Sequence, residues 1–127
     1  GHSDADCLTH ALADAILGAM SLPDIGHYFP DTDENNKNID SKIILKKALS
    51  EAKDKDYQLG NIDLTLITEE PKLSPHINDI KISLSQTVNI EPNRIGLKVT
   101  TNEKIGAIGR MEGIAAFAIC TLMFKRD

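Results

Sequence analysis

Tryptophan is absent from this chain, and two tyrosines and three phenylalanines make up its whole aromatic content. Stacking surfaces for bases are therefore scarce. With 14 Lys and Arg against 19 Asp and Glu, the net charge of −5 also removes the basic footprint that general nucleic-acid binding requires. Cysteine is as sparse: Cys7 and Cys120 are too few for a disulfide framework and read as small apolar residues in a reducing, cytosol-like compartment. No apolar run is long enough to span a bilayer, the longest being Ile114 to Phe124 with Thr121 inside it. Internal repeats, low-complexity tracts and linkers are missing too. What remains is 127 residues, 41% hydrophobic and 26% charged, enough for one globular domain with its own core. The chain opens Gly1-His2-Ser3-Asp4 without methionine, directly in a motif-like segment, and reads as the tail portion of a longer protein.

Periodicity sets out six elements. Asp4 or Asp6 can cap a helix to about Met20, with Leu8, Ala11, Leu12, Ala15, Ile16 and Ala19 on its buried face. Pro23 and Gly26 break that pattern, and the polar segment through Asn38 predicts an exposed loop. Asp40 or Ser41 restarts a helix to about Lys53, for which Leu59-Gly60 is the expected C-terminal stop. Asn61 to Thr68 alternates as a strand, and Pro75 to Thr87 carries a helical stripe of Ile77, Ile80 and Leu84 with Val88 just beyond. Ile95, Leu97 and Val99 mark a second strand. Glu112 to Lys125, nearly all apolar, predicts a central or interface strand buried on both faces. The order α, α, β, α, β, β describes one α/β or α+β domain.

Three segments could carry chemistry. His10 and Asp14 stand one helical turn apart, where a carboxylate can hold one imidazole nitrogen and leave the other for a metal; a partly buried helix histidine is the alternative. Asp24-Ile25-Gly26 and Phe29-Pro30-Asp31-Thr32-Asp33 bring three carboxylates into ten residues, able to accept polyol hydroxyls or bind hard cations, though the spacing is not that of a calcium loop. Thr100-Thr101-Asn102-Glu103-Lys104 follows a strand and precedes Gly106, Gly109 and Arg110. Hydroxyls and a guanidinium suit phosphate oxygens, and a carboxylate suits a magnesium ion bridging them. Each segment alone is equally consistent with a solvated loop or a strand end.

Taken in order they are more specific. Gly-His-Ser-Asp-Ala-Asp at 1–6, His10-Ala11-Leu12, Asp24-Ile25-Gly26, Phe29-Pro30-Asp31-Thr32-Asp33 and Leu59-Gly60-Asn61-Ile62-Asp63 are followed by Glu70-Pro71-Lys72, Thr100-Thr101-Asn102-Glu103-Lys104 and Gly109-Arg110-Met111-Glu112-Gly113-Ile114. Along essentially its whole length the chain resembles the 2-C-methyl-D-erythritol 2,4-cyclodiphosphate synthase family of the non-mevalonate isoprenoid pathway.

The resemblance implies an α+β domain over residues 1–127, with a mixed four-stranded sheet and helices on one face. It further implies a homotrimer with the sheets around the threefold axis and active sites at subunit interfaces. The implied reaction cyclises 4-diphosphocytidyl-2-C-methyl-D-erythritol 2-phosphate with release of CMP, chiefly by positioning and charge neutralisation. By motif, His10 is a ligand of a zinc-type ion and Glu103 of Mg²⁺ or Mn²⁺, while His2 and Thr101 position the transition state. Ser3 and Thr100 lie at phosphates. Asp24, Ile25, Gly26, Phe29, Pro30, Asp31, Thr32 and Asp33 form the loop receiving ribose and erythritol hydroxyls. Thr68, Glu69, Glu70, Pro71, Lys72, Leu73 and Ser74 make the cytosine pocket, and Arg110 faces an axial channel. The implied compartment is bacterial cytoplasm or a plastid-type organelle.

Two departures accompany the resemblance. The family's other zinc ligands come from an upstream strand bearing Asp-x-His, which this sequence lacks, so about 30 residues are expected upstream of Gly1. Ala107 replaces a bulky aromatic that commonly lines the axial channel, which argues against a bound isoprenoid there. A non-catalytic trimeric binder of nucleotides or prenyl phosphates is the alternative reading.

Overall fold

Leu8, Leu12, Ala13, Ile16 and Leu17 repeat at helical spacing, and all five are buried on one face of α1 (His2–Ala19). The computed structural model describes residues 2–36, 38–69 and 76–125, with the backbone alone at His2 and Ser3. Helix α1 starts earlier than the expected aspartate cap. Asp4 lies inside the first turn, where its charge suits the helix dipole, and the Asp6 carboxylate accepts from Ser41 Oγ at 2.7 Å.

The segment expected as plain loop contains a four-residue helix, α2 (Ile25–Tyr28), and a 3₁₀ turn at Glu34–Asn36. Helix α3 (Ser41–Asp54) is capped by Asp40, whose carboxylate accepts from the Lys42 amide at 2.9 Å. Its stop is not Leu59-Gly60. Lys55 ends it, and Asp56 takes the left-handed conformation at φ 65°. Strand β1 (Tyr57–Ile67) therefore begins four residues earlier than alternation predicted.

The reason lies at Gly60. Leu59 pairs with Leu122 and Ile62 with Cys120, so Gly60 and Asn61 together oppose Thr121 in a β-bulge. Leu59 and Ile62 are both buried although three residues apart, which breaks the alternation and disguises the start of the strand. The Asn61 amide donates to Thr121 Oγ1 at 2.8 Å, and a Cβ on Gly60 would run into that same oxygen.

Helix α4 (Ile77–Val88) ends on Asn89 in the left-handed region and crosses over to β2 (Ile95–Thr100). A four-residue α5 (Gly106–Gly109) precedes β3 (Ala115–Phe124). The sheet order is β2-β1-β3, with β2 parallel and β3 antiparallel to β1. Among the described residues the sheet has three strands, not four: the segments that alternate in this sequence supply three, and the fourth was counted from the resemblance alone. No described helix is long and apolar enough to cross a membrane.

Helices α1, α3 and α4 share one core with Leu59, Ile62, Leu64, Leu66 and Ile95 on one face of the sheet. The other face is uncovered. It carries an Asp63–Lys98 ion pair at 2.9 Å and, on β3, Phe117 and Ile119, 60% and 71% exposed. Among the described residues of one chain β3 is thus an edge strand rather than a central one, with one face on the core and the other open to an interface. Ile67 is opposite both Thr100 and Ala115, which brings the C-terminal ends of β1 and β2 and the start of β3 to one end of the sheet.

Leu64→Ala removes a fully buried side chain from the central strand and is expected to cost about 2–5 kcal/mol in urea unfolding. Gly60→Ala overpacks the bulge and is expected to cost about 1–3 kcal/mol, a penalty that Thr121→Ala in the same chain partly relieves.

Candidate active site

Two groups of predicted site residues lie in this fold. The first gathers at the sheet end. The Thr68 amide donates to Thr100 O at 2.9 Å, continuing the β1–β2 ladder one step past β1, and Thr68 itself is buried. Beyond β2 the chain turns sharply. Glu103 and Lys104 both have positive φ, 54° and 60°, a conformation that non-glycine residues occupy only when their surroundings impose it.

Several contacts impose it. Glu69 Oε1 accepts from the Asn102 amide at 2.8 Å and from the Lys104 amide at 2.9 Å. Asn102 Nδ2 donates to Ile105 O at 2.7 Å, and the Ile105 amide donates back to Asn102 O at 3.0 Å. The Glu103 amide reaches Thr101 Oγ1 at 3.3 Å. From the other side, Gly109 lies directly against the Lys104 backbone, where a Cβ would overlap several main-chain atoms. The turn leaves Thr100, Thr101 and the Glu103 side chain exposed. Arg110, also exposed, pairs with Glu112 through Nε to Oε2 at 2.8 Å.

The second group surrounds α1 and α2. His10 is half-buried on α1. Its expected partner is engaged elsewhere: Asp14 Oδ1 accepts from the Ile25 amide at 2.9 Å, across the turn that follows α1. The correction has a clear cause. Asp24 occupies the N-cap position of α2 but makes no capping bond with its own side chain, so a first-turn donor of α2 is free and Asp14 fills it. The Asp24 carboxylate stays exposed beside Gly26. Ile25 and Phe29 pack against the core and hold the loop down, whereas Pro30, Asp31 and Thr32 are exposed. Asp33 Oδ1 accepts from the Asn35 amide at 3.0 Å, and Asn36 Nδ2 donates to Pro30 O at 2.9 Å, so the acidic loop is shaped by its own side chains.

The side chains of His2 and Ser3, and Glu70, Pro71, Lys72, Leu73 and Ser74 entirely, lie outside the described residues. Of the expected cytosine pocket, only Thr68 and Glu69 are described. A cavity of about 410 Å³ opens elsewhere, between α1, α3 and α4, lined by Asp6, Thr9, Ser41, Ser83 and Thr87 among others, and none of the described site candidates lines it. Burial raises the Cys120 thiol above its ordinary range; burial and the nearby Asp4 charge do the same for Cys7. Neither is an activated nucleophile.

Among the described residues no three His, Cys, Asp or Glu side chains come together as a metal site. A zinc site needs three or four protein ligands, so His10 by itself does not make one. Magnesium is commonly held by one or two carboxylates with substrate phosphates and water, which a lone exposed Glu103 does fit. Sequence reasoning missed the use made of Glu69, Asp14 and Gly109. Glu69 and Asp14 act on backbone far along the chain, which leaves no local pattern; Gly109, against a turn five residues back, was noticeable only as punctuation.

Residues 1–123 match the YgbB family. The 2-C-methyl-D-erythritol 2,4-cyclodiphosphate synthase of Leptospira interrogans is 53% identical over 126 residues, 99% of this chain and 77% of that protein. The synthase of the same name from Nostoc punctiforme is 50% identical over 123 residues, 97% of this chain and 77% of its own. Among solved structures, IspF of Plasmodium falciparum in a CDP complex superposes with a TM-score of 0.85 at 37% identity, covering 99% of this chain and 76% of that one. Bifunctional IspDF from Campylobacter jejuni gives 0.88 at 39% identity, covering 93% of this chain and 32% of that one.

Gly109→Ala is expected to push the Lys104 backbone aside at a cost of about 1–3 kcal/mol. In amide NMR spectra the resonances of 101–105 should move while those of 24–36 stay in place.

Proposed function

This chain belongs to the YgbB family, and on that premise we propose that it is a phosphorus–oxygen lyase, a 2-C-methyl-D-erythritol 2,4-cyclodiphosphate synthase of isoprenoid biosynthesis. It converts 4-diphosphocytidyl-2-C-methyl-D-erythritol 2-phosphate to the 2,4-cyclodiphosphate. An oxygen of the 2-phosphate attacks the β-phosphorus, the bridge to the α-phosphorus breaks, and CMP departs. Support comes from the extent of the match to named synthases and from the shaped turn at 101–104, which presents hydroxyls and a carboxylate at the carboxyl end of parallel strands, where ligands of such sheets characteristically sit.

In this reading Thr100 and Thr101 hold phosphate oxygens, and His2 and Ser3 meet them from the start of α1. Asp24, with Gly26, and the exposed Asp31–Thr32 pair receive polyol hydroxyls, and the segment from Thr68 to Ser74 encloses cytosine. A chain that assembles phosphates chiefly by placement needs little covalent chemistry of its own. Divalent ions, when bound, supply charge neutralisation. Glu103 would hold the Mg²⁺ or Mn²⁺ through one carboxylate, and His10 would give one imidazole to a zinc-type ion whose remaining protein ligands lie outside the described residues. Arg110, tied to Glu112, is assigned to the axial channel.

The assembly is a homotrimer of one domain per chain, residues 1–127, closed by the uncovered sheet face. Phe117, Ile119 and Met123 give that face its apolar strip, consistent with burial against other copies. Bacterial cytoplasm or a plastid-type organelle is the proposed compartment.

Full-length protein given the phosphorylated cytidyl substrate and Mg²⁺ is expected to release CMP, and EDTA to stop it. His10→Ala and Glu103→Ala should each lower turnover by about 10²-fold or more. CDP bound in calorimetry with no CMP ever released would instead mark a non-catalytic nucleotide binder and overturn the assignment.

A further inference from the structure

We propose that Glu69 is a positioning residue: its carboxylate fixes the turn that presents Thr101 and Glu103, rather than reading the base. The inference rests on the reading above, in which that turn holds the substrate's phosphates. The resemblance placed Glu69 in the cytosine pocket; the bonds of its carboxylate run to the turn after β2. One oxygen, Oε1, takes both the Asn102 amide at 2.8 Å and the Lys104 amide at 2.9 Å. Those two donors bracket Glu103, so the residue between them is held on both sides.

The need for such a clamp is visible in the backbone. Glu103 and Lys104 are consecutive non-glycine residues with positive φ, where the Cβ of an L-amino acid crowds its own main chain, so the conformation persists only under outside restraint. One acceptor oxygen bonded to both flanking amides supplies that restraint. Gly109 limits the turn from the opposite side. Without the carboxylate, the chain past Thr100 can relax toward ordinary backbone angles and carry the Glu103 side chain away from the position set by β2. Glu69 is also the second residue past β1, inside the segment assigned to the base. Its side chain ties that segment to the turn beyond β2 through two main-chain amides.

The test compares Glu69→Ala, Glu69→Gln and Glu69→Asp in the full-length protein. Glutamine keeps an oxygen at the same reach, while aspartate keeps the charge but loses a methylene of reach. Amide hydrogen exchange without metal or substrate is read first: protection of Asn102 and Lys104 should fall about tenfold or more in the alanine and aspartate variants and recover in glutamine. Turnover should follow the same order, with kcat down about tenfold or more for alanine and aspartate and CMP affinity changed by less than about threefold. Unchanged protection in the alanine variant, or in the aspartate variant if alanine fails to fold, overturns the clamp. A loss confined to CMP affinity with kcat kept would make Glu69 a base-reading residue and overturn it equally. A wild-type protein that releases no CMP sinks the functional assignment instead, and the exchange result still decides the clamp.

Discussion

Leu64 and Leu66, fully buried between the sheet and the helices, hold β1 in place, and the rest of the molecule is arranged around that strand. Among the described residues β1 alone is hydrogen-bonded on both edges, parallel to β2 and antiparallel to β3. Its register decides which residues share an end of the sheet. Because Ile67 faces Thr100 on one side and Ala115 on the other, the chain leaving β1, the chain leaving β2 and the chain entering β3 must meet. The polar turn at 101–104 is what the protein builds at that meeting point.

The acidic character of the chain bears on how such a site handles phosphate. A net charge of −5 gives no long-range attraction for a polyanion, so the phosphate affinity proposed above has to come from short-range donors in fixed places. The structure meets that requirement by rigidity. Thr101 is engaged by the Glu103 amide, Asn102 by Ile105, and the whole turn by Glu69. The acidic loop is treated in the same way, with Asp14 holding Ile25, and Asp33 and Asn36 folding the loop on itself.

Much of this was readable in the residues. Helical spacing placed α1, α3 and α4, and alternation placed β2 and most of β1, because in each the buried face is a simple repeat. The functional assignment rested on the resemblance that the ordered motifs carry. Other features were left open or hidden for physical reasons. Gly60 was read as a helix stop because glycine serves both left-handed caps and close approaches, and only Thr121, 61 residues on, shows which one applies. β3 was read as buried on both faces because an apolar strand looks the same whether its second face is covered by its own chain or not. His10 and Asp14 have the spacing of a pair, yet the Ile25 amide is the better-placed partner for the carboxylate. The fourth strand came from the resemblance and not from any alternating segment. Glu69 and Gly109 act on backbone 33 and 35 residues away or on a turn five residues back, contacts without a sequence signature.

The bulge at Gly60 and Asn61 also sets the parity of β1. Tyr57 and Leu59 upstream and Ile62, Leu64 and Leu66 downstream all point inward, although an odd number of steps separates the two sets. One additional residue has been absorbed without inverting either half, and Thr121 is the seat that absorbs it. Insertions or deletions elsewhere in β1 have no such seat, so length drift over evolution should be tolerated at this point of the strand and resisted along the remainder.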